Sequence, residues 1–280
     1  MPDPAGQQRL VTSASSFGRL FTETNLTFDR RTQDIVRASV QGTNMVVSRD
    51  VAKAADETQL INTYKTLIAP IANKELGTIT TDITRTASPG GESALGDLIA
   101  DAQVKDPSVV TGGKVPVVAF MNPGGIRTDL TFAKSGPELT DGIVRYEEAF
   151  TVQPFNNFLV SMDVTGADIW RLLQQQWSGG NAARTKFLQV SKGLNYVWSG
   201  AAGAQAVQSV TINGTPVANN ASTSYRIVTN NFLADGGDSF PAFKNGTNRY
   251  FGGLDIDGFA KYLPTVSPYT PGPLVRITKQ

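Results

Sequence analysis

The sequence predicts a mixed fold of the α+β class, in which mixed β-sheets are layered with helices. Apolar stripes at helical spacing alternate unevenly with short runs typical of strands, whereas a doubly wound fold would alternate them regularly. The run VPVVAFM at residues 115–121 is apolar throughout, as expected of a strand buried on both faces. The dipeptide Asn213-Gly214 lies between two alternating runs and indicates a tight hairpin turn.

The first 50 residues contain one segment with the periodicity of a strand. In LFTETNLTF, one side of an extended chain carries Leu20, Thr22, Thr24, Leu26 and Phe28. The sequence DRRTQD at residues 29–34 then predicts a turn, and Ile35-Val36 a returning strand. We therefore expect a β-hairpin over residues 20–36.

Two amphipathic helices are expected next. Residues 56–75 carry apolar side chains three and four positions apart, at Leu60, Ile61, Tyr64, Leu67, Ile68 and Ile71. Pro70 is expected to kink or end this helix, and Gly77 to stop it before a short strand at residues 78–83. The segment ESALGDLIADAQVK predicts the second helix from the stripe Leu95, Leu98, Ile99 and Ala102. We expect Glu92 to serve the start of this helix, and Asp97 and Asp101 to be solvated or ion-paired.

The remaining elements are predicted from local signals. Residues 146–152 predict a short helix, and PFNNFLVSMDV a turn that leads into a strand. Thr165 followed by Asp168 is a capping pattern that opens the helix DIWRLLQQQW. Further strands are expected within residues 188–199, 206–218 and 225–230, and a terminal helix at DIDGFAKYL. An irregular tail is indicated by Pro264, Pro268, Pro271 and Pro273.

The composition excludes several kinds of active site. The chain has no histidine and no cysteine, so a Ser-His-Asp triad, a Cys-His pair and a zinc site of the usual kind are impossible. Any chemistry would have to use carboxylates, lysine, tyrosine or hydroxyl groups. The formal net charge of +1 gives no general attraction for nucleic acid. No apolar stretch approaches the ~20 residues of a membrane helix, and the opening MPDPAGQQRL lacks the apolar region of a signal peptide.

Three loops combine small residues with strong polar groups or aromatic rings. In NPGGIR, Asn122 offers an amide, the paired glycines let the backbone approach a ligand, and Arg127 suits a phosphate or carboxylate. The loop QPFNN presents Phe155. In VTNNFLADGGDSF, Phe232 can stack on a base or sugar, and Asp238 can accept hydrogen bonds from vicinal hydroxyls. Together these side chains predict a nucleotide-binding site that has no general base and no metal.

Other interpretations stay open from the residues alone. The first loop is also typical of a glycine turn followed by a surface arginine. Phe155 is also compatible with a residue that packs into the core. Asp235 and Asp238 resemble the carboxylate pair of a glycan hydrolase, although three residues of one loop rarely flank a scissile bond. A calcium-binding turn would need more oxygen ligands than this loop offers. A stand-alone surface module that binds nucleosides or sugars is the remaining alternative.

Several ordered segments resemble the C-terminal domain of the 5'-nucleotidase family, which includes ecto-5'-nucleotidase and the periplasmic UDP-sugar hydrolases. They are ESALGDLIADAQ, NPGGIRTDL, FTVQPFNNFLVSMDVTGADI, FLQVSKGLNY and VTNNFLADGGDSF. The resemblance covers residues 76–263 and implies a nucleotide-binding domain that confers substrate specificity. It also implies a parent protein that is a metal-dependent phosphoric ester hydrolase of nucleotide catabolism. In such a parent, an N-terminal metallophosphatase domain holds two divalent metal ions and the catalytic residues.

The resemblance implies a role in ligand binding for six residues. Phe155 and Phe232 match the two aromatic residues that sandwich the base, and Asp238 matches the acid that binds the ribose hydroxyls. The other three, in one loop, match an amide that contacts the base, a glycine at which the backbone approaches the ligand, and an arginine that contacts phosphate: Asn122, Gly124 and Arg127.

Two positions depart from the family's pattern. Gly91 stands where many members carry a further phosphate-binding arginine, and Arg85 is a poor substitute for it. Pro123 replaces a glycine, which fixes one backbone angle and removes one backbone donor. Phosphate affinity is therefore expected to be weaker here or to be met from elsewhere.

The resemblance also implies how the chain is organised. Residues 1–50 correspond to the last strands of a metallophosphatase domain, residues 51–77 to a connector helix and residues 78–280 to the nucleotide-binding domain. We expect no catalytic residue, metal ligand or cofactor in this chain, and neither nucleic acid nor a membrane as a partner. The expected partners are a nucleotide or nucleoside and the metallophosphatase domain. The isolated chain is predicted to be inactive, and its parent to be secreted, periplasmic or on the cell surface.

Overall fold

The computed structural model describes residues 1–280, which divide into two compact units, Met1–Leu67 and Ile68–Gln280. The helices are α1 (Ala55–Ala72), α2 (Ala94–Lys105), α3 (Tyr146–Val152), α4 (Gly166–Gln175), α5 (Asn231–Ala234) and α6 (Asp255–Val266). The strands are β1 (Leu20–Asn25), β2 (Phe28–Asp29), β3 (Asp34–Ile35), β4 (Gln41–Val46), β5 (Glu75–Thr78), β6 (Val118–Met121), β7 (Ile143–Arg145), β8 (Phe158–Thr165), β9 (Gln189–Val190), β10 (Leu194–Ser199), β11 (Ala206–Ile212), β12 (Thr215–Pro216), β13 (Ser224–Asn230), β14 (Thr247–Leu254) and β15 (Ile277–Lys279). The predicted mixed α+β class is confirmed. None of the helices has the length and apolar character needed to cross a membrane.

In the first unit, two antiparallel ladders replace the single hairpin that the sequence predicted. β2 and β3 flank the predicted turn and pair over two positions only, which end at Phe28 opposite Ile35. β1 pairs instead with β4, over its full length from Leu20 to Asn25. The predicted turn is therefore present, but the predicted partner of β1 is wrong. The chain leaves the inner ladder at Val36, whose N–H donates to the carbonyl of Thr27 at 2.9 Å.

Helix α1 crosses the boundary between the two units and has no buried residue. The predicted helix is present, and Pro70 lies inside it, two residues before its end. Its apolar side chains are half exposed or more, from Leu60 to Ile71. The amphipathic pattern thus correctly predicts a helix, but the apolar side of that helix stays exposed.

Strand β5 begins earlier than the sequence predicted. It covers Glu75–Thr78 and pairs antiparallel with β7, whereas a strand was expected at residues 78–83. Beyond it, Ile79 and Ile83 form only single bridges, to Tyr269 and Leu130. Both isoleucines are buried, so their apolar character reflects burial in the core and not a continuous ladder.

A five-stranded sheet with the order β14-β8-β13-β6-β9 forms the centre of the second unit. Strand β6 is buried at all four residues, and alternate side chains face opposite layers. Phe120 packs in a core with α4 and the second sheet, whereas Ala119 packs on the opposite side with Ala100 of α2. The predicted doubly buried strand is confirmed with narrower bounds, since Val115 is exposed.

A second sheet of four strands has the order β12-β11-β10-β15. Its predicted hairpin turn is present, with φ angles of 50° at Asn213 and 77° at Gly214. Four strands of the whole chain were not predicted: β4, β7, β14 and β15. β15 lies in the tail that was expected to be irregular and pairs in parallel with β10. β14 begins directly after a loop and contains two glycines, which weaken the strand signal.

A buried group of carboxylates joins α2 to the tail. The prediction that Glu92 serves the start of α2 is wrong: Ser93 caps α2, while Glu92 Oε2 accepts the N–H of Ile277 at 2.8 Å. The predicted ion pairs are present, because Arg276 Nη1 lies 2.8 Å from Asp101 Oδ1 and Arg276 Nε 3.4 Å from Asp97 Oδ2. The pKa of Asp97 is raised, and the main cause is burial. The neighbouring carboxyl of Glu92 raises this pKa further, whereas the positive charge of Arg276 lowers it.

The start of α4 matches the capping pattern seen in the sequence. Thr165 Oγ1 accepts the N–H of Asp168 at 3.1 Å, and Asp168 Oδ2 accepts the N–H of Thr165 at 3.2 Å. These reciprocal bonds satisfy two backbone groups that the helix itself leaves without partners. The cap therefore fixes the point at which β8 ends and α4 begins.

Replacing Thr165 by alanine is expected to lower the free energy of unfolding by about 1 kcal/mol, because the N–H of Asp168 loses its acceptor. Thr165→Ser keeps the hydroxyl and is the matched control, with most of the stability retained. Urea denaturation of the wild type and both variants measures the effect. Equal losses in both variants would show that the β-branched side chain matters rather than the cap.

Candidate functional site

The sheet brings the three predicted loops to one edge. β6 and β13 are parallel neighbours, so the residues that end them, Asn122 after β6 and Asn230 in β13, lie side by side. Their side chains are bonded, with Asn230 Nδ2 donating to Asn122 Oδ1 at 3.0 Å. β8 is antiparallel to β13, so the loop that precedes β8 also opens at this edge. A crevice beyond the carboxyl ends of parallel strands is a common position for a ligand site.

A cavity of about 370 Å³ lies between these loops. It is lined by Asn122, Gly124, Gly125, Arg127, Phe155, Asn157, Phe232 and Asp238. The structure therefore places all six residues that the sequence singled out around one cavity, and adds Gly125 and Asn157 to them. The volume lies within the range of roughly 300–1,000 Å³ that is usual for small-molecule sites.

Two phenyl rings form the apolar part of the lining. Phe155 is 52% exposed and Phe232 45% exposed, so neither is a core residue. Phe232 lies in α5, whose first turn is fixed because Asn230 Oδ1 accepts the N–H of Leu233 at 2.9 Å. A Cβ atom at Gly237 would lie 2.6 Å from Cε1 of Phe232, so only glycine allows this loop to pack against the ring.

A chain of hydrogen bonds holds the carboxylate of Asp238 in the cavity. Asn122 Nδ2 donates to Asp238 Oδ2 at 2.7 Å, and the orientation of the Asn122 amide is set in turn by Asn230. The backbone of Asp238 is left-handed, with φ of 53°, and its carbonyl accepts from Asn181 Nδ2 at 2.9 Å. A strained backbone held by two side chains is typical of a residue whose position is functionally required.

Lys186 also reaches Asp238, and sequence reasoning did not identify it. Its Nζ atom lies 2.6 Å from Asp238 Oδ1, and both side chains are largely buried. Lys186 precedes the FLQVSKGLNY segment and is 52 residues from Asp238 in the chain. No local pattern could have indicated this contact, because it depends on how two distant loops fold together.

Arg127 lies at the rim of the cavity and is exposed. Its Nη1 atom donates to the carbonyl of Gly124 at 3.0 Å, and its guanidinium carbon lies 5.6 Å from the centre of the Phe155 ring. This contact is a cation–π interaction. With one N–H engaged, the guanidinium keeps further donors for an anion.

The two departures noted in the sequence have structural counterparts. The backbone of Gly91 is left-handed, with φ of 102°, and a Cβ atom there would overlap the ring of Phe187. An arginine at this position would therefore require the ring to move. Gly91 and Arg85 both line a neighbouring cavity and not the main one, and Arg85 Nη1 donates to the carbonyl of Ile126 at 3.1 Å.

The donor set does not fit a metal ion or a pair of catalytic carboxylates. The chain contains no group of three or more histidine, cysteine, aspartate or glutamate side chains that could hold a metal. Asp235 pairs with Arg249, at 2.8 Å, and does not line the cavity. Asp238 is therefore the only carboxylate in the lining, which contradicts the carboxylate pair of the glycan hydrolase alternative. The two divalent ions that the resemblance implies have no ligands in these residues.

Asn157, the other polar residue of the lining, is anchored by Asp255 at the start of α6. The N–H of Asp255 donates to the carbonyl of Asn157 at 2.8 Å, and Asn157 Nδ2 lies 3.4 Å from Asp255 Oδ2. Burial raises the pKa of Asp255 to about 6, although its hydrogen bonds act in the opposite direction. A titrating carboxyl thus lies directly behind the cavity wall.

Comparison with known proteins agrees with the family resemblance. Residues 71–245 match the family model described as "5'-nucleotidase, C-terminal domain". Cell wall protein Lmo0130 of Listeria monocytogenes is 34% identical over 271 residues, which cover 92% of this chain and 33% of that protein. An apyrase of Anopheles gambiae is 26% identical over 257 residues, which cover 91% of this chain and 42% of that protein.

Solved structures give the same result. The crystal structure of a 5'-nucleotidase precursor from Thermus thermophilus matches with a TM-score of 0.67 and 26% identity, over 100% of this chain and 53% of that one. The chain therefore spans about half the length of this structure, and between a third and a half of the two relatives above.

The pKa of Asp255 predicts how stability depends on pH. Because the folded chain holds this proton more strongly than the unfolded chain, whose aspartates titrate near 3.9, the free energy of unfolding should fall as pH rises from about 4 to about 6. The expected loss from this group is on the order of 3 kcal/mol. In Asp255→Asn this component is absent, so the variant should gain stability relative to the wild type as pH rises.

Urea denaturation of both proteins at several pH values between 4 and 7 measures this difference. The other carboxyl groups are common to both proteins, so the difference between them isolates Asp255. A difference that stays constant over this range would contradict the raised pKa.

Proposed function

This chain belongs to the family of 5'-nucleotidase C-terminal domains, and from that premise we propose that its cavity binds a nucleotide or nucleoside. In this proposal the base lies between Phe155 and Phe232, and Asp238 accepts hydrogen bonds from the ribose hydroxyls. The observation that carries the proposal is that two exposed phenyl rings and a single oriented carboxylate line one cavity. Aromatic faces bind bases by stacking, and a carboxylate is an acceptor matched to a vicinal diol.

The polar residues of the first loop complete the proposed site. Asn122 gives one N–H of its amide to Asp238 and keeps the other for the edge of the base. Gly124 lets the backbone approach the ligand, since any side chain there would point at Asp238, with Cβ 3.2 Å from Oδ2. Arg127 at the rim directs its remaining donors to a phosphate group.

The parent protein is proposed to be a 5'-nucleotidase-type phosphoric ester hydrolase in which this domain selects the substrate. The relatives are longer than this chain, and they include proteins named apyrase and 5'-nucleotidase. A metallophosphatase domain would hold two divalent ions, which supply a water activated for attack on phosphorus. The exposed apolar side of α1 supports a partner domain, because exposed apolar patches of this kind mark interaction surfaces.

We also propose that the parent acts outside the cytoplasm, in nucleotide catabolism. The support is the 34% identity to a cell wall protein. The alternative of a stand-alone module that binds nucleosides or sugars shares the same cavity. The two proposals differ in whether the parent protein also contains a metallophosphatase domain. Metal-binding motifs of the metallophosphatase type upstream in the same gene would favour the hydrolase, and their absence would favour the stand-alone module.

Removing either ring is expected to weaken binding of adenosine and adenosine monophosphate. Each base–aromatic stack contributes on the order of 1–3 kcal/mol, so Phe155→Ala and Phe232→Ala should each raise Kd by roughly 5-fold to 150-fold. Isothermal titration calorimetry measures both constants. Phe251→Ala is the matched control, since Phe251 is equally exposed but does not line the cavity.

Two outcomes would contradict the stacking proposal. One is unchanged affinity for adenosine in both cavity variants. The other is an equal loss in the Phe251 control, which would indicate a general effect of removing surface rings. Titration with a neutral oligosaccharide in parallel tests the sugar-binding alternative, because tight binding of the sugar and none of adenosine would favour that module.

The isolated chain is expected to bind adenosine monophosphate without hydrolysing it, because its cavity has neither a metal site nor a second carboxylate. Phosphate release is assayed with added manganese at several protein concentrations. Release in proportion to the concentration of wild-type chain, and absent from an Asp238→Ala preparation purified in the same way, would show that the chain itself is catalytic.

A further inference from the structure

Lys186 is not among the residues that line the cavity, but it bonds to the one carboxylate that does, and the proposed function gives it no role. Its ammonium group is 2.6 Å from Asp238 Oδ1, while Asn122 occupies Oδ2 of the same carboxylate at 2.7 Å. Each carboxylate oxygen therefore already accepts one hydrogen bond from the chain. Since a carboxylate has about four acceptor positions, capacity for two further donors remains, which matches the two hydroxyls of a ribose.

A sugar hydroxyl both donates and accepts hydrogen bonds, and Asp238 can serve only the first of these functions. A hydroxyl that donates to Asp238 in a largely buried position also needs a donor for its own oxygen, because an unsatisfied polar atom carries a desolvation penalty. Lys186 has three N–H donors, of which one is used on Asp238. It is the only cationic side chain bonded to this carboxylate.

The backbone around Lys186 fixes the position from which the ammonium group reaches Asp238. The N–H of Lys186 donates to the carbonyl of Gln176 at 2.9 Å. The next residue, Phe187, is held between Trp177 and Trp198, with ring centres 6.1 Å and 5.4 Å away. Lys186 therefore extends from a rigid segment, and its side chain is only 31% exposed.

We propose that Lys186 is a specificity-determining residue that binds the sugar hydroxyls together with Asp238. Lys186 donates hydrogen bonds to the hydroxyl oxygens, and Asp238 accepts hydrogen bonds from the hydroxyl groups. This inference rests on the proposed nucleotide-binding function and specifies its ligand class as ribonucleosides and ribonucleotides in preference to their deoxy forms. The ammonium group also balances the negative charge of Asp238, so the pair attracts a neutral diol without favouring an anion at the same position.

The test is the ratio of the Kd of 2',3'-dideoxyadenosine to that of adenosine, measured by calorimetry for the wild type and for Lys186→Met. Hydrogen bonds to charged groups are strong enough that the wild-type ratio should be roughly tenfold or more. In Lys186→Met, which keeps the length of the side chain and removes the charge, the ratio should fall at least severalfold toward one. The affinity for the dideoxy compound should change little.

Three comparisons make the result specific. Lys186→Arg keeps a cationic donor and should preserve most of the ratio, whereas Lys261→Met, at an exposed position away from the cavity, should leave both constants unchanged. Titration of 2'-deoxyadenosine and 3'-deoxyadenosine then shows which hydroxyl Lys186 contacts. If Lys186→Met does not fold, Lys186→Leu, which likewise removes the charge and every side-chain N–H donor, replaces it in the same measurement.

The outcomes separate this inference from the proposed function. If the neutral variants weaken adenosine and dideoxyadenosine equally, the ratio is unchanged, Lys186 has only a structural role and the inference is wrong. Wild-type chain that binds neither compound contradicts the proposed function and this inference together. Loss of binding in Phe155→Ala, combined with an unchanged ratio in Lys186→Met, would leave the proposed function supported and overturn only the role of Lys186.

Discussion

The parallel pairing of β6 with β13 is the constraint on which the candidate site depends. It places Asn122 and Asn230 at the same edge of the sheet, and the bond between their amides fixes which atom of Asn122 faces Asp238. Asn230 also caps the short helix that carries Phe232. One asparagine therefore sets both the orientation of the carboxylate and the position of a ring. Because these amides are buried and hydrogen-bonded to each other, the polar and aromatic parts of the cavity are held in a fixed relation.

The sequence predicted well those features that depend on neighbours in the chain. The α4 cap, the Asn213-Gly214 turn, helix α3 and the doubly buried β6 are all determined by a few consecutive residues. The same holds for the loops of the site, because each loop follows or precedes a strand with a clear apolar pattern. Their convergence on one site was predicted from their residue types and was also implied by the family resemblance, and the ligand roles of the six residues stay predictions.

The errors concern contacts between residues that are far apart in the chain. Glu92 is a correct helix-start residue by local rules, yet its carboxylate binds the N–H of Ile277, 185 residues away. Lys186 was missed for the same reason. The partner of β1 was misassigned because the inner ladder stops after two pairs, and no composition rule predicts where a short ladder ends. Amphipathicity correctly indicated α1 as a helix, but it carries no information on what covers the apolar side.

The attachment of β15 has a consequence for the order in which the domain can form during synthesis. Helix α2 is synthesised early, yet the N–H that donates to the carboxylate of Glu92 is that of Ile277, which is among the last few residues of this chain. Until those residues leave the ribosome, the second sheet lacks an edge strand, and Asp97 and Asp101 of α2 lack their partner Arg276. Contacts of such long sequence separation form late and slow folding. The domain therefore cannot be completed progressively from its N-terminal side, and its closure depends on the arrival of its tail.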